Sequence, residues 1–262
     1  MKDLTISLIQ ADLYWEQIEA NLAMFEEKIW SIAEEVDLII LPEMFTTGFS
    51  MNAEALAEPP GGKTYKWMRQ MAGQKKAAIV GSCIIKEGGE FYNRLYFVYP
   101  DGSSEQYDKK HLFTLAGEHI SYTPGNLRLT LAYKGWKINT LICYDLRFPV
   151  WGRSAKQEST PYEYDLQLYV ANWPSPRVDA WDTLLKARAI ENLAYVAGVN
   201  RVGKDGTDKD YVGHSAVYAY DGQSLTFSES EEVLTVTLRA EELKQYRDRF
   251  RFQEDADSFE IN

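Results

Sequence analysis

The feature that most constrains the fold is an alternation along the whole chain: short apolar runs of strand length, separated by segments with helical spacing. "LTISLIQ" (4–10) reads as a strand. In residues 15–35, Ile18, Leu22, Phe25, Ile29 and Ile32 recur at steps of four and three, one apolar helix face with Glu and Lys opposite. "VDLIILPE" (36–43) then reads as a buried strand ending at Pro42. The chain thus opens as a β-α-β unit.

After the Pro-Gly loop "EPPGG" (58–62), residues 64–76 read as a second helix and "AAIVGSCII" (77–85) as another apolar strand. "EGGE" (87–90) is a turn, and "FYNRLYFVYP" (91–100) follows as a hairpin partner. "PDGS" (100–103) turns the chain into "EQYDKKHLF" (105–113). The pattern then recurs: a strand "KINTLICYD" (137–145), a helix near 147–157, a strand "DLQLYVANWP" (165–174) and a helix over 179–193. Strands follow in "AYVAGVNRVG" (194–203), "GHSAVYAYDG" (213–222) and "EVLTVTLRA" (232–240). Two related halves of this kind predict an α/β architecture, a four-layer α-β-β-α sandwich with the sheets inside. No Gly/Ser-rich linker divides the chain, so residues 1–262 are expected to form a single domain. The polar insert "AKQESTPYEY" (155–164) is expected as an exposed loop, and the charged segment 245–262 as a C-terminal arm.

Net charge is −11, which argues against broad nucleic-acid binding and against docking on anionic lipid. A local arginine cluster can still bind a small anion. The 2 cysteines, Cys83 and Cys143, are no disulfide framework and form no C-x-x-C pair, which points to a reducing, cytoplasmic compartment. "MKDLTISLIQ" lacks the layout of a signal peptide, and no window approaches the ~18 apolar residues of a membrane span. There is no H-x-x-x-H, and the carboxylates are scattered, so no metal site is expected.

Three segments end an apolar strand on reactive residues: "LIILPEMF" with Glu43, "EQYDKKHLF" with Lys109, Lys110 and His111, and "TLICYDLRF" with Cys143. Sites in α/β folds gather at the carboxyl ends of strands. If these ends meet, Cys is the nucleophile, Glu can take its proton, and Lys can stabilise the developing oxyanion. Each residue alone also has a plainer reading: Cys143 as a core filler, Glu43 as a loop carboxylate, the lysines as surface charge. No histidine spacing selects a base.

"LPEMFTTGF", "YDKKHLF" and "CYDLRFP", in that order, resemble the three signature motifs of the nitrilase (carbon–nitrogen hydrolase) superfamily. "GEH" (117–119), "ANWP" (171–174), "ARAIEN" (187–192) and "NRVG" (200–203) extend the resemblance over residues 4–240. It implies the α-β-β-α sandwich and a catalytic triad of Glu43, Lys109 and Cys143. The family pattern Lys-x-His-Leu-Phe selects Lys109 over Lys110. Glu118 resembles the family's second, positioning glutamate. The backbone N–H of Tyr144 is then an oxyanion donor. No metal or organic cofactor is required, and the usual assembly is a homodimer through the helix after Cys143 and residues 179–192.

"PEMFTTGFS", "CYDLRFP" and "ANWPSPR" look most like the ω-amidase branch, which hydrolyses the terminal amide of 2-oxo dicarboxylic acid monoamides such as 2-oxoglutaramate and 2-oxosuccinamate. Such small-molecule amides carry a carboxylate, for which Arg147, Arg177 and Arg201 are candidates. Arg147 equally fits a brace for Asp145 or a helix start. Phe45 and Trp173 are candidates for an apolar wall, with ordinary core packing as the other reading. Competing functions are a sibling amidase (N-carbamoyl amine hydrolase, aliphatic amidase, deaminated-glutathione amidase) and a non-catalytic scaffold with the same fold.

Overall fold

A computed structural model describes residues 1–155 and 161–260. The strands are β1 (Leu4–Gln10), β2 (Leu38–Ile40), β3 (Ala78–Glu87), β4 (Glu90–Val98), β5 (Ser104–Asp108), β6 (Thr130–Tyr133) and β7 (Trp136–Ile142). They continue with β8 (Leu166–Val170), β9 (Tyr195–Val199), β10 (Val202–Lys204), β11 (Asp210–Val212), β12 (Ser215–Tyr218), β13 (Ser224–Ser228) and β14 (Glu232–Leu238). The helices are α1 (Ile18–Ser31), α2 (Ala53–Leu56), α3 (Lys63–Lys75), α4 (Glu118–Ser121), α5 (Pro149–Gly152), α6 (Val178–Asn192) and α7 (Ala240–Phe250).

Two six-stranded sheets form, in the orders β14-β1-β2-β3-β4-β5 and β13-β12-β9-β8-β7-β6. Each has a parallel centre, β1-β2-β3 in the first and β7-β8-β9 in the second, with antiparallel strands outside it. The period-two geometry of a strand explains why the central ones read as continuous apolar runs. Leu38 and Ile40 of β2 face the core between the sheets, while Ile39 faces the layer of α1 and α3. On the far side, Trp181, Leu185 and Ala189 of α6 close the second sheet. This is the expected α-β-β-α sandwich.

Three local expectations need correction. The helix predicted near 147–157 is a 3-10 turn, Cys143–Arg147, followed by the single turn of α5. The run 194–203 is not one strand, because Asn200 and Arg201 interrupt it between β9 and β10. The charged segment from 245 begins inside α7, which docks through Leu243 and Arg247. Arg247 is buried and donates to Leu193 O, Tyr164 O and the Asp165 carboxylate, so a charged residue occupies a core position. Of the polar insert 155–164, residues 156–160 lie outside the described residues.

Candidate active site

β2, β5 and β7 each end at one of the three reactive segments. Beyond β2 the chain turns sharply at Glu43, with Met44 held at φ 42°. Ser82 on β3 fixes that turn: its Oγ accepts from Met44 N at 2.8 Å and its carbonyl from Phe45 N at 3.1 Å. Beyond β5, Lys109 N donates to Asn93 O at 3.0 Å, and Gly125 N donates to Lys109 O at 2.9 Å. Gly125 has to be glycine there, because a Cβ would stand 2.1 Å from Asp108 O. Beyond β7, Cys143 itself adopts φ 44°. A non-glycine residue in that region is strained, and strain of this kind gathers where a side chain must be presented out of a strand end.

These ends meet. Glu43 and Glu118 are fully buried, and Lys109 is 1% exposed. Lys109 Nζ lies 2.8 Å from Glu43 Oε1 and 2.9 Å from each oxygen of Glu118. Asn93 Nδ2 donates to Glu43 Oε1 at 2.8 Å, and Asn172 N donates to Glu43 Oε2 at 2.9 Å. Cys143 Sγ sits 3.9 Å from Asn172 O. Burial works against the Lys109 charge, but the carboxylates of Glu118 and Glu43 outweigh it and hold the ammonium protonated beyond its usual range. Burial pushes the Glu118 carboxyl up, with Lys109 opposing. Burial also raises the Cys143 thiol, and the charge of Glu43 raises it further; Lys109 pulls the other way. The resting sulfur is therefore a thiol beside an acceptor carboxylate.

Cys143 and Lys109 line one pocket. Phe49, Phe113 and Tyr211 wall it together with the expected Trp173. Three further cations line it beside Lys109: Arg147, Arg177 and Lys209. Arg147 lies over the Trp173 ring at 5.0 Å and Arg177 over the Phe113 ring at 5.0 Å. Lys209 Nζ donates to Thr207 Oγ1 at 2.8 Å. Among the described residues none of the three has a carboxylate at ion-pair distance, in contrast to Arg94 and Arg247. Tyr144 also lines the cavity, its ring edge-on to Phe113 and Phe148.

Two candidates lie elsewhere. Phe45 packs in the helix-side core, edge-on to Phe25 and against Trp67. It is bound there because it fills the space over Gly81, where a Cβ would meet its ring at 3.0 Å. Arg201 is fully buried and donates to Asp12 Oδ1 and to the carbonyls of Val202 and Lys204, so its guanidinium ties down the β10–β11 hairpin instead of lining the cavity. Arg147 does not brace Asp145, whose donors are Tyr107, His111 and Ile142. Sequence reasoning gave no role to Asn93 or Asn172, which hold the carboxylate of Glu43, nor to Lys209 and Tyr211, which reach the cavity from β11 and the loop before it.

With this geometry in view, the chain can be set beside known proteins. The carbon-nitrogen hydrolase family model matches residues 5–248. Omega-amidase YafV of Escherichia coli strain K12 is 43% identical over 265 residues, covering 100% of both chains. The 2-oxoglutaramate amidase of Bacillus subtilis strain 168 is 34% identical, covering 87% of each. A crystal structure of a superfamily member from Xanthomonas campestris, with an arsenic adduct in its active site, is 45% identical with a TM-score of 0.96, covering 100% of both chains.

Proposed function

The chain belongs to the carbon–nitrogen hydrolase family and hydrolyses carbon–nitrogen bonds of amides; within that class we propose that it is an ω-amidase, removing ammonia from the terminal amide of small 2-oxo dicarboxylic acid monoamides. The observation that carries this reading is the set of cations, Arg147, Arg177 and Lys209, that line the same cavity as the Cys143 thiol and have no carboxylate at ion-pair distance among the described residues. A neutral aliphatic amide has no use for them, and a cationic carbamoyl amine is repelled by them. A substrate with a carboxylate at the end opposite its amide uses them as charge-assisted donors. The E. coli relative is named an omega-amidase and the B. subtilis relative a 2-oxoglutaramate amidase, which supports the same assignment here.

The reaction then runs as follows. Glu43 accepts the proton of Cys143 Sγ as the sulfur attacks the amide carbonyl. Lys109 has three N–H donors, directed at Glu43 Oε1 and at the two oxygens of Glu118; turning one of the two that face Glu118 toward the substrate lets it stabilise the oxyanion together with the backbone N–H of Tyr144. Glu43 returns its proton to the departing amine, and ammonia leaves. The thioester is hydrolysed by water that Glu43 deprotonates, giving the acid and the free thiol. A homodimer joined through α5 and α6 and a cytoplasmic location belong to the same proposal. Exposed Val150 on α5 and Ile190 on α6 support the first, and two free thiols support the second.

The test is ammonia release by the purified protein from 2-oxoglutaramate and 2-oxosuccinamate, beside an N-carbamoyl amine, an aliphatic amide, a deaminated-glutathione analogue and a nitrile. A preference for the oxo-acid amides, lost in Cys143→Ala, is the expected result. A preference for another member of the panel moves the protein to that branch, and an inert protein favours the scaffold reading.

A further inference from the structure

We propose that Asp145 is a positioning residue that sets the place of Lys109 relative to Cys143 by clamping one sheet to the other. This rests on the roles given above to Lys109 and Cys143. Lys109 follows β5, an edge strand whose ladder has a neighbour on one side only, β4. That ladder fixes Lys109 within its own sheet. It does nothing to fix the distance to the second sheet, where Cys143 stands. The oxyanion, however, must touch donors from both.

Asp145 supplies the missing link. It is fully buried on the 3-10 turn that begins at Cys143. Its Oδ2 accepts from Ile142 N at 3.0 Å, just before the nucleophile, and from Tyr107 Oη at 2.7 Å, two residues before Lys109. Its Oδ1 accepts from His111 N at 3.0 Å and lies 2.8 Å from His111 Nδ1, two residues after Lys109. A single carboxylate thus holds both flanks of the lysine and the base of the cysteine turn. The direction of the Tyr107 bond is also fixed. Its oxygen already accepts from Trp151 Nε1 at 3.0 Å and Lys110 N at 3.2 Å, so its proton goes to Asp145. The His111 ring is held by stacking on Phe148, with centroids 3.7 Å apart. Among the described residues the hydrogen bonds of Asp145 run to Tyr107, His111 and Ile142 and not to Glu43 or Glu118, so the clamp is separate from the groups that carry protons.

An asparagine at 145 cannot serve all four donors. Whichever way its amide turns, the NH₂ faces one backbone N–H, of Ile142 or of His111, and that segment must shift. Asp145→Asn is expected to lower kcat for 2-oxoglutaramate by ~100-fold, the effect of a displacement on the order of an ångström. KM should stay within about threefold, because Arg177 and Lys209 bind substrate from outside the Cys143–Arg147 turn. Tyr107→Phe removes one of the donors to Asp145, leaves Trp151 Nε1 and Lys110 N without their shared acceptor, and is expected to lower kcat by ~10-fold with KM again unchanged. Circular dichroism establishes that each variant is folded at the assay temperature. If Asp145→Asn does not fold, Tyr107→Phe decides. Folded variants with wild-type kcat, or with the loss entirely in KM, overturn the proposal. A wild type inert toward every amide, with Cys143 alkylated by iodoacetamide no faster than Cys83, instead overturns the assignment of the nucleophile on which the proposal stands.

Discussion

Replacing Glu43 with Gln separates two effects that are normally confounded, because it should make the nucleophile more acidic and the enzyme far slower. The Glu43 charge is one of the influences that raise the Cys143 thiol, whereas Lys109 lowers it. Removing the charge leaves burial, Glu118 and Lys109, so one of the raising influences is lost and the thiol pKa falls. Turnover must nevertheless collapse, since the amide can neither take the thiol proton nor return it to ammonia. Loss of a general base costs ~10²–10⁴ in rate, and the same group serves both half-reactions here, so kcat/KM should fall by at least ~10³, about 4 kcal/mol. The fold should survive. Gln Oε1 can keep Lys109 Nζ and Asn93 Nδ2, but its NH₂ then faces Asn172 N, which donates to Glu43 Oε2 at 2.9 Å. One orphaned backbone donor costs roughly 1–3 kcal/mol, and for a chain of this size that lowers Tm by roughly 2–10 °C. The assay pairs ammonia release with iodoacetamide alkylation of Cys143 between pH 6 and 10. The reasoning is refuted if folded Glu43→Gln keeps kcat/KM within tenfold of wild type, or if its alkylation profile moves to higher pH.

Neutralising Arg177 or Arg147 as Met should raise KM for 2-oxoglutaramate by roughly 10–100-fold, the worth of a charge-assisted hydrogen bond, while leaving KM for a neutral amide of similar length alone; Lys209→Met should do the same more weakly, being at the exposed rim. Equal losses on both substrates would place the cations outside the carboxylate subsite. Gly125→Ala should lower both stability and kcat, as its Cβ would strike the strand end that carries Lys109; an unchanged urea midpoint would contradict the close approach. Stability should also fall at alkaline pH. The folded state keeps the protons of Cys83, Cys143 and Lys109, all raised, beyond the pH at which the unfolded chain releases them. Unfolding then gains ~1.4 kcal/mol per pH unit per thiol above about pH 8.5, and Lys109 adds to it above about 10.4. Cys83→Ala should make the decline of the urea midpoint shallower over pH 9–10.5.

The layers and the three strand ends could be read in the sequence because they follow from periodicity and from motifs that stand at the ends of apolar runs. What could not be read depends on partners distant in sequence. Arg201 and Arg177 are alike as letters, yet Asp12 and a row of carbonyls claim one, while the other lies over the aromatic ring of Phe113. Phe45 stands two residues from Glu43 but points to the opposite face of the sheet, toward Phe25. α7 was hidden because an arginine, Arg247, fills a position where a periodic pattern requires an apolar side chain. Asn93 sits mid-strand in "FYNRLYFVYP", where nothing local distinguishes a carboxylate partner from a polar residue facing solvent.

The pairing of β1 with β14, Leu4 to Leu238 through Gln10 to Glu232, also bears on when this molecule becomes an enzyme. The strand that leads to Glu43 borders β1, and β1 keeps a bare edge until residues 232–238 arrive. Contacts of such long sequence separation form late and slow a chain's folding. A growing polypeptide therefore holds Glu43, Lys109 and Cys143 long before it holds a finished first sheet to set them in. In a refolding experiment, amide hydrolysis should lag behind the recovery of helical signal, and a chain cut before residue 232 should carry all three groups and remain silent.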